Sequence, residues 1–394
     1  MSSAAVIRVA GRDLSMDRPV IRTLAGLTTL GTPLVLLTAL VAVFLGPAEQ
    51  QVTQNFLIAL IAVVGFGIYS GNTGILTFGH VAFMGVAAYA SGILTMDPLI
   101  KAQALPNLLP VLRDIQIPLV PATLGALVVV ALVALLFGVP LSRLSAAATP
   151  IATLSMLMIV YVVLVGAADI TRGSQTFYGV PPDVTIWIAL GVALLAIVVA
   201  RLFRESTTGL RIRATREDEM AARAMGIHIP NARLVAWMLS AVIVGLAGVL
   251  LGHTLTAFSP KQFYFTLQFA LLAMLVVGSP STVTGAVGGA LLVSVLQEIA
   301  RRVEGTLSGL TIGDFTFNGI FGLQEVTLGL VIILVMYRRS NGLFGLRELD
   351  EALLAWRGRR GGGSTRPAVG AAEAAPDADH LDPIDPQEPQ EAVT

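Results

Sequence analysis

Cysteine is absent from the 394 residues, which excludes disulfides, thiolate nucleophiles and thiolate metal sites. Only two lysines occur, Lys101 and Lys261, and neither follows a glycine-rich phosphate loop, so the chain has no Walker-type nucleotide site of its own. The four histidines, His80, His228, His253 and His380, stand far apart. There is no HExxH, and none of the four has a zinc-ligand neighbour at useful spacing. Charged residues make up only 13% of the chain, and the formal net charge is zero, which gives no reason to expect a nucleic-acid partner. Paired acids suited to acid–base catalysis are missing from the apolar runs; Asp169 and Asp183 flank a loop. An enzyme is therefore not expected.

Apolar sequence is abundant. Residues are 55% hydrophobic and mean hydropathy is +0.80. Several windows of about 20 residues, such as Leu119–Pro140 and Leu234–Leu255, carry few or no charges, the length needed to cross a hydrocarbon core. The run VVVALVALLF (128–137) is continuously apolar, whereas a membrane β-barrel would alternate. The fold class expected is an all-α polytopic membrane protein. About ten spans fall near 25–45, 55–70, 80–96, 118–139, 150–168, 184–203, 233–256, 266–278, 285–300 and 322–337. No small-residue cleavage site cleanly follows a short apolar core, so the first run is taken as a retained span. With the N-terminus inside, only Lys101, Arg113, Arg172, Lys261, Arg301 and Arg302 of the 25 basic residues fall outside. The positive-inside rule therefore places both termini in the cytosol. Arg301 and Arg302 fit least well, and Glu298 and Glu304 are their expected partners.

Two stretches interrupt the apolar pattern. YSGNTGILTFGH (69–80) carries three glycines, an Asn and two Thr; GSPSTVTGAVGG (278–289) carries Ser, Pro, Thr and Gly. Irregular backbone at membrane depth survives only where it is buried in protein or lines a wet cavity. Two readings stand: tight turns between short spans, or discontinuous helices beside a translocation path. His80, at such a boundary, either satisfies freed backbone carbonyls or lines a pore. GxxxG-type spacings (Gly67 and Gly71, Gly248 and Gly252, Gly285 with Gly288 and Gly289) point to close helix packing. Three regions follow: a polar N-terminal tail (1–22), a transmembrane domain (23–346) with a charged loop at 204–232, and a Gly-, Pro-, Ala- and acid-rich tail (347–394). That tail is expected to be largely disordered, with an amphipathic turn or two over 347–357 first.

The charged loop is the one polar island. Thr215 is the expected helix N-cap, with Asp218 three residues later; Arg216 precedes the acids Glu217, Asp218 and Glu219, which fill the first turn. Ala221, Ala222 and Met225 form a small apolar face on a helix of about ten residues. Gly226 is placed for a left-handed C-terminal cap, and Pro230 blocks continuation. Such a helix is marginal alone, so it is either held in a partner's groove or is a solvated loop.

The pattern Glu219, Ala221, Ala222 and Gly226 resembles the EAA loop of ABC importer permeases. Its flanks, TTGLRIRATREDEMAARAMGIHI, are similar to the LivM-type branched-chain amino acid permease family. So are GNTGILTFGHVAFMGVAAY (71–89), PIATLSMLMIVYVVL (150–164), SPKQFYFTLQFALLAMLVVG (259–278) and GLQEVTLGLVIILVMYRRSNGLFG (322–345). The likeness runs from about Phe56 to Gly345. Departures are Met220 between the acid and the alanines, Arg172 and Thr176 where glycine is frequent, and Ser340–Asn341 where proline is common.

The resemblance implies ABC importer permease architecture in the plasma or inner membrane. It implies two ABC ATPase subunits carrying ATP and Mg, a second related permease and an extracytoplasmic binding protein, with no cofactor in this chain. The loop from Thr215 to Gly226 would be the lever moved by the ATPases. The solute path would involve the breaks, with Gly71, Asn72, Gly74, Thr77, Gly79, His80, Ser279 and Ser281 as its candidate residues. The solute expected is a branched-chain or other hydrophobic amino acid; urea, short amides or aromatic acids are the alternatives. Other classes are an autonomous secondary transporter or channel and a structural subunit of a larger membrane complex. No Asp or Glu lies in the first eight runs, which counts against proton coupling.

Overall fold

The structure is a computed structural model, and it describes residues 6–9, 12–15, 19–307, 311–312, 315–316, 322–339, 342–345 and 348. The helices are α1 (Pro19–Phe44), α2 (Pro47–Thr73), α3 (Val81–Thr95), α4 (Pro98–Ala104), α5 (Pro110–Arg113), α6 (Leu119–Leu141), α7 (Ala148–Gly166), α8 (Ala168–Thr171), α9 (Ile186–Glu205), α10 (Thr207–Glu217), α11 (Glu219–Ala224), α12 (Ile229–Leu255), α13 (Phe265–Gly278), α14 (Val283–Leu307) and α15 (Leu323–Arg338). Among the described residues strands occur only as three two-stranded antiparallel pairs: β1 (Val6–Val9) with β2 (Arg12–Ser15), β3 (Phe177–Tyr178) with β4 (Ala257–Phe258), and β5 (Thr311–Ile312) with β6 (Phe315–Thr316). Each of the ten expected spans coincides with a helix. Eight are long and apolar enough to cross a membrane, α13 only when counted with the 3-10 turn Pro260–Phe263 before it; α3 and α15 are not among them.

α6 shows how these helices read their solvent. Ala122, Ala126, Val130, Ala134 and Gly138, every fourth residue, are buried, while Leu124, Val128, Leu132 and Leu136 are exposed. Small residues turned inward and large apolar ones outward is the reverse of a water-soluble helix. It is the arrangement that lets backbones approach while the bulky chains meet lipid. The centre of the bundle is α2, α3 and α12, with α6, α9 and α14 around it; α1 lies on α9, and α13 pairs with α14. Gly248 of α12 sits on the Met84 backbone of α3, where a Cβ would collide with the carbonyl oxygen of Met84.

The two interruptions are connections, not gaps inside single helices: residues 74–80 join α2 to α3, and 279–282 join α13 to α14. This is the tight-turn reading. The turns at 74–80 and 279–282, the loop before α7 and helices α10 and α11 share one end of the bundle, called here the loop face. The strand pair β3–β4, α4 and α5 lie at the opposite face. Lys101 is buried there, and its ammonium donates to the carbonyls of Leu112 (3.1 Å) and Ile115. Arg301 and Arg302 both pair with Glu298, at 2.8 and 2.6 Å.

Candidate functional site: the loop face and the cleft above it

The charged loop folds as two helices instead of one. Ser206 caps α10 by accepting from the Gly209 N–H. Thr215 lies inside α10, buried, its hydroxyl donating to the Ile212 carbonyl, so it is not the N-cap. Asp218 takes that role: it leaves helical geometry at φ −152°, and its Oδ1 accepts from the N–H groups of Met220 and Ala221. A short carboxylate that competes for backbone donors splits the helix where it stands. α11 is consequently six residues, not about ten. Glu217 ends α10, exposed to solvent. Ala222 is buried, whereas Ala221, Met220 and Met225 are exposed, the methionines at 79% and 83%. Gly226 is left-handed at φ 78°, as expected of the cap. Pro230 stands in the first turn of α12 and starts that helix instead of merely ending the one before.

Two arginines connect this loop to the bundle. Arg233, buried at the start of α12, donates to the Leu144 carbonyl (3.1 Å) and to Glu219 (3.3 Å), which also holds Arg223 at 2.7 Å. The hydrogen bond from Arg223, aided by the charges of Arg233 and Arg223, holds the Glu219 carboxyl below its ordinary value against the opposing effect of burial. Arg216 reaches the other way. Its Nη1 donates to the Gly71 carbonyl in the last turn of α2 and to the Ser281 hydroxyl in the second connection, both at 3.0 Å.

The end of α2 touches the second connection. Gly71 lies so close to Pro280 that any Cβ would collide with the proline carbonyl oxygen, so only glycine fits. Gly74 is left-handed (φ 73°) and covered by the Arg216 side chain. Asn72 and Ser281 line a seam with a cavity of only about 10 Å³, shared with Arg204. The Asn72 amide donates to Ile68 (2.8 Å), while its Oδ1 has no partner. Ser279 is strained at φ 150° and its hydroxyl is unpaired.

The remaining candidates sit elsewhere. Gly79 abuts Thr153 of α7, and the Thr77 hydroxyl lies 2.7 Å from His80 Nδ1. His80 is fully buried among Phe66, Tyr69, Phe83 and Trp237, with ring centroids 4.6 to 6.1 Å away, and meets no open space. Thus the structure unites Gly71, Asn72, Ser281 and Arg216, and it sets Thr77, Gly79 and His80 apart.

Above the seam lies a cleft of about 740 Å³ between α2, α13 and α14, on the side of the opposite face. Phe56, Ile58, Leu271 and Met274 give it an apolar floor; Lys261, Gln297, Glu298 and Arg301 give it a polar rim. None of the eight path candidates lines it. Sequence reasoning missed the cleft because its walls come from helices far apart in the chain. No group of three metal-ligating side chains occurs among the described residues.

A multi-pass helical membrane protein, with small-residue packing, a capped polar loop at one face and a cleft at the other, is the build of a permease. The family described as branched-chain amino acid transport system / permease component matches residues 50–336, and the chain belongs to that family. It is 26% identical over 322 residues to the high-affinity branched-chain amino acid transport system permease protein LivM of Salmonella typhimurium, covering 73% of this chain and 68% of that one. LivM of Escherichia coli K12 matches to the same extent. The high-affinity branched-chain amino acid transport system permease protein LivH of Salmonella typhimurium is 25% identical over 166 residues, 42% of this chain and 48% of LivH. No solved structure matches the chain.

Proposed function

We propose that this chain is the membrane-spanning subunit of an ATP-driven importer of branched-chain or other hydrophobic amino acids. Two ATPase subunits act on its loop face, a second related permease beside it completes the path, and an extracytoplasmic binding protein delivers solute to the cleft. The loop face and both termini are cytosolic, in the orientation the basic residues favour. The observation that carries the reading is the loop itself. α11 and its C-cap offer Met220 and Met225 to solvent, while Arg216 grips the end of α2 and the second connection. A partner that moves α10 and α11 therefore moves the seam directly, and through Glu219 and Arg233 it also moves α12. ATP and Mg stay with the partner.

The cleft suits the solute class. An apolar side chain is accommodated by Phe56, Ile58, Leu271 and Met274, and a zwitterionic head by the rim. Urea would leave that floor unused. The solute path then runs from the cleft through the seam at Asn72 and Ser281. In proteoliposomes holding this chain, its sister permease, the ATPases and the binding protein, leucine uptake is expected to require ATP. Met220→Asp with Met225→Asp is expected to release the ATPases from the purified complex. Accumulation of leucine against its gradient by this chain alone would overturn the reading.

A further inference from the structure

The helix ends that flank the second connection need partners for their backbone groups. The last carbonyls of a helix and its first N–H groups have none within the helix, and water is scarce at membrane depth. Here the partners come from beyond α15. The N–H groups of Leu343 and Phe344 donate to the carbonyls of Val277 and Gly278, the last two residues of α13, at 3.0 and 3.1 Å. The Phe344 ring lies on Gly288 of α14. Glu348 then closes the other side. Its carboxylate accepts from the N–H groups of Val283 and Thr284, the first residues of α14, at 3.0 and 3.1 Å, and from the Thr284 hydroxyl at 2.6 Å. It is a negative charge at the positive end of a helix dipole.

Glu348 also neutralises two arginines of α9. Arg201 lies 3.1 Å and Arg204 3.5 Å from its oxygens, and Arg201 and Glu348 are nearly inaccessible to solvent. Arg204 in turn donates to the Ser281 carbonyl, and Ser281 receives Arg216 from the loop. Burial works against a charge on Glu348; Arg201, the Thr284 hydroxyl and Arg204 outweigh it and hold the carboxyl below its ordinary value.

We infer that Leu343, Phe344 and Glu348 form a strap that holds the 279–282 connection shut against α2, and that Arg216 is the movable half of the same lock. Glu348 fixes the connection to α9 and α14, and Arg216 ties it to Gly71 and to the coupling loop. Withdrawal of Arg216 frees one side of Ser281 while Glu348 keeps the helix ends in register. The seam then opens as a hinge without unravelling. Glu348 and Arg216 are thus positioning residues for the inner gate, and calling the seam a gate rests on the importer reading above.

The absence of cysteine makes the test clean, because one introduced cysteine is the only thiol. Asn72→Cys places it in the seam. Inverted membrane vesicles bearing the full chain are treated with a membrane-impermeant maleimide, without nucleotide or solute. The otherwise unaltered protein is expected to be protected. Glu348→Ala and, separately, Arg216→Ala are expected to raise the labelling rate at least about tenfold. Glu348→Gln, which keeps one acceptor oxygen and loses the charge, is expected to fall between. Arg211→Ala, an exposed arginine on the same helix as Arg216, is expected to leave the rate unchanged. If Glu348→Ala does not accumulate, Arg216→Ala, whose side chain is largely at the surface, reads the lock alone. Unchanged protection in Arg216→Ala and in every Glu348 variant that accumulates overturns the proposal. The labelling needs neither ATP nor leucine, so a failure of the importer reading in the uptake assay leaves this result standing, and the reverse holds.

Discussion

The two ends of the bundle are built on opposite plans. At the loop face the end of α2 is in backbone contact with the 279–282 connection, the cavity between them holds about 10 Å³, and Arg201, Arg204, Arg216 and Arg233 all contact carbonyls, hydroxyls or carboxylates. At the other end a cleft of about 740 Å³ stands open above an apolar floor. A protein interior tolerates few voids larger than a water molecule. A cleft that large at one end of the bundle and a seam that tight at the other set the two ends apart. The contrast also separates two uses of polar groups. Guanidinium groups at the seam knit backbone together, while the cleft's rim leaves polar groups facing the open space.

If the cleft is a passage and the seam a closure, the two respond differently to added volume. Bulk in the cleft is expected to abolish transport and spare the fold. Ala59→Trp with Ala270→Trp puts an indole on each of two walls, and leucine uptake is expected to fall at least about a hundredfold with the melting temperature unchanged. Bulk in the seam is expected to do the reverse in order: Gly71→Ala meets backbone, which yields little, so stability is expected to drop by about 1–3 kcal/mol, the usual scale for overpacking. Calorimetry in detergent and uptake in proteoliposomes, run on both variants, check this. Equal thermal loss in both would erase the distinction between the ends.

The brace between α11 and α12 is expected to matter less for the fold than for coupling. Arg233→Gln removes the contact to Glu219 and weakens the one to Leu144. Uptake is expected to fall about tenfold while the ATPases still co-purify, and Glu219→Arg with Arg233→Glu is expected to restore part of it. Because the Glu219 carboxyl is held below its ordinary value in the folded protein, its ion pairs persist through the usual carboxylate range and are lost only as pH falls below it. Uptake through this brace is therefore expected to be flat from about pH 8 to pH 5.5. A midpoint near neutrality would mean that another group governs it.

Much of this was legible in the residues. Apolar run length placed ten helices, and the glycine-rich stretches marked both connections. Gly226 announced its own left-handed turn. What failed locally was the competition among caps. Thr215 and Asp218 both carry capping side chains, and only the structure shows Asp218 turning out of the helix to take the Met220 and Ala221 N–H groups. What failed at long range was partnership. Glu348 sits in a sequence that reads as tail, yet it meets Arg201 from 147 positions earlier, and no local period signals that. His80 reads in sequence either as satisfying freed backbone carbonyls or as lining a pore; the structure packs it among four aromatic rings with Nδ1 on the Thr77 hydroxyl.

The smallest effect expected tests whether strain at the seam has a use. Ser279 holds φ 150° and ψ 120°, a region that side chains avoid and glycine enters freely, and its hydroxyl is buried without a partner. Strain of this kind costs about 1–3 kcal/mol, and glycine's extra freedom in the unfolded chain offsets about 1 kcal/mol of any relief. Ser279→Gly is therefore expected to stabilise the protein by about 1 kcal/mol, seen as a rise of a few degrees in melting temperature. A serine kept in so poor a conformation makes sense if the connection changes shape during transport and relaxes in the open state. On that account Ser279→Gly favours the closed seam, and uptake is expected to slow about twofold as stability rises. A variant that gains stability with no change in uptake would show that the strain is incidental to the closure.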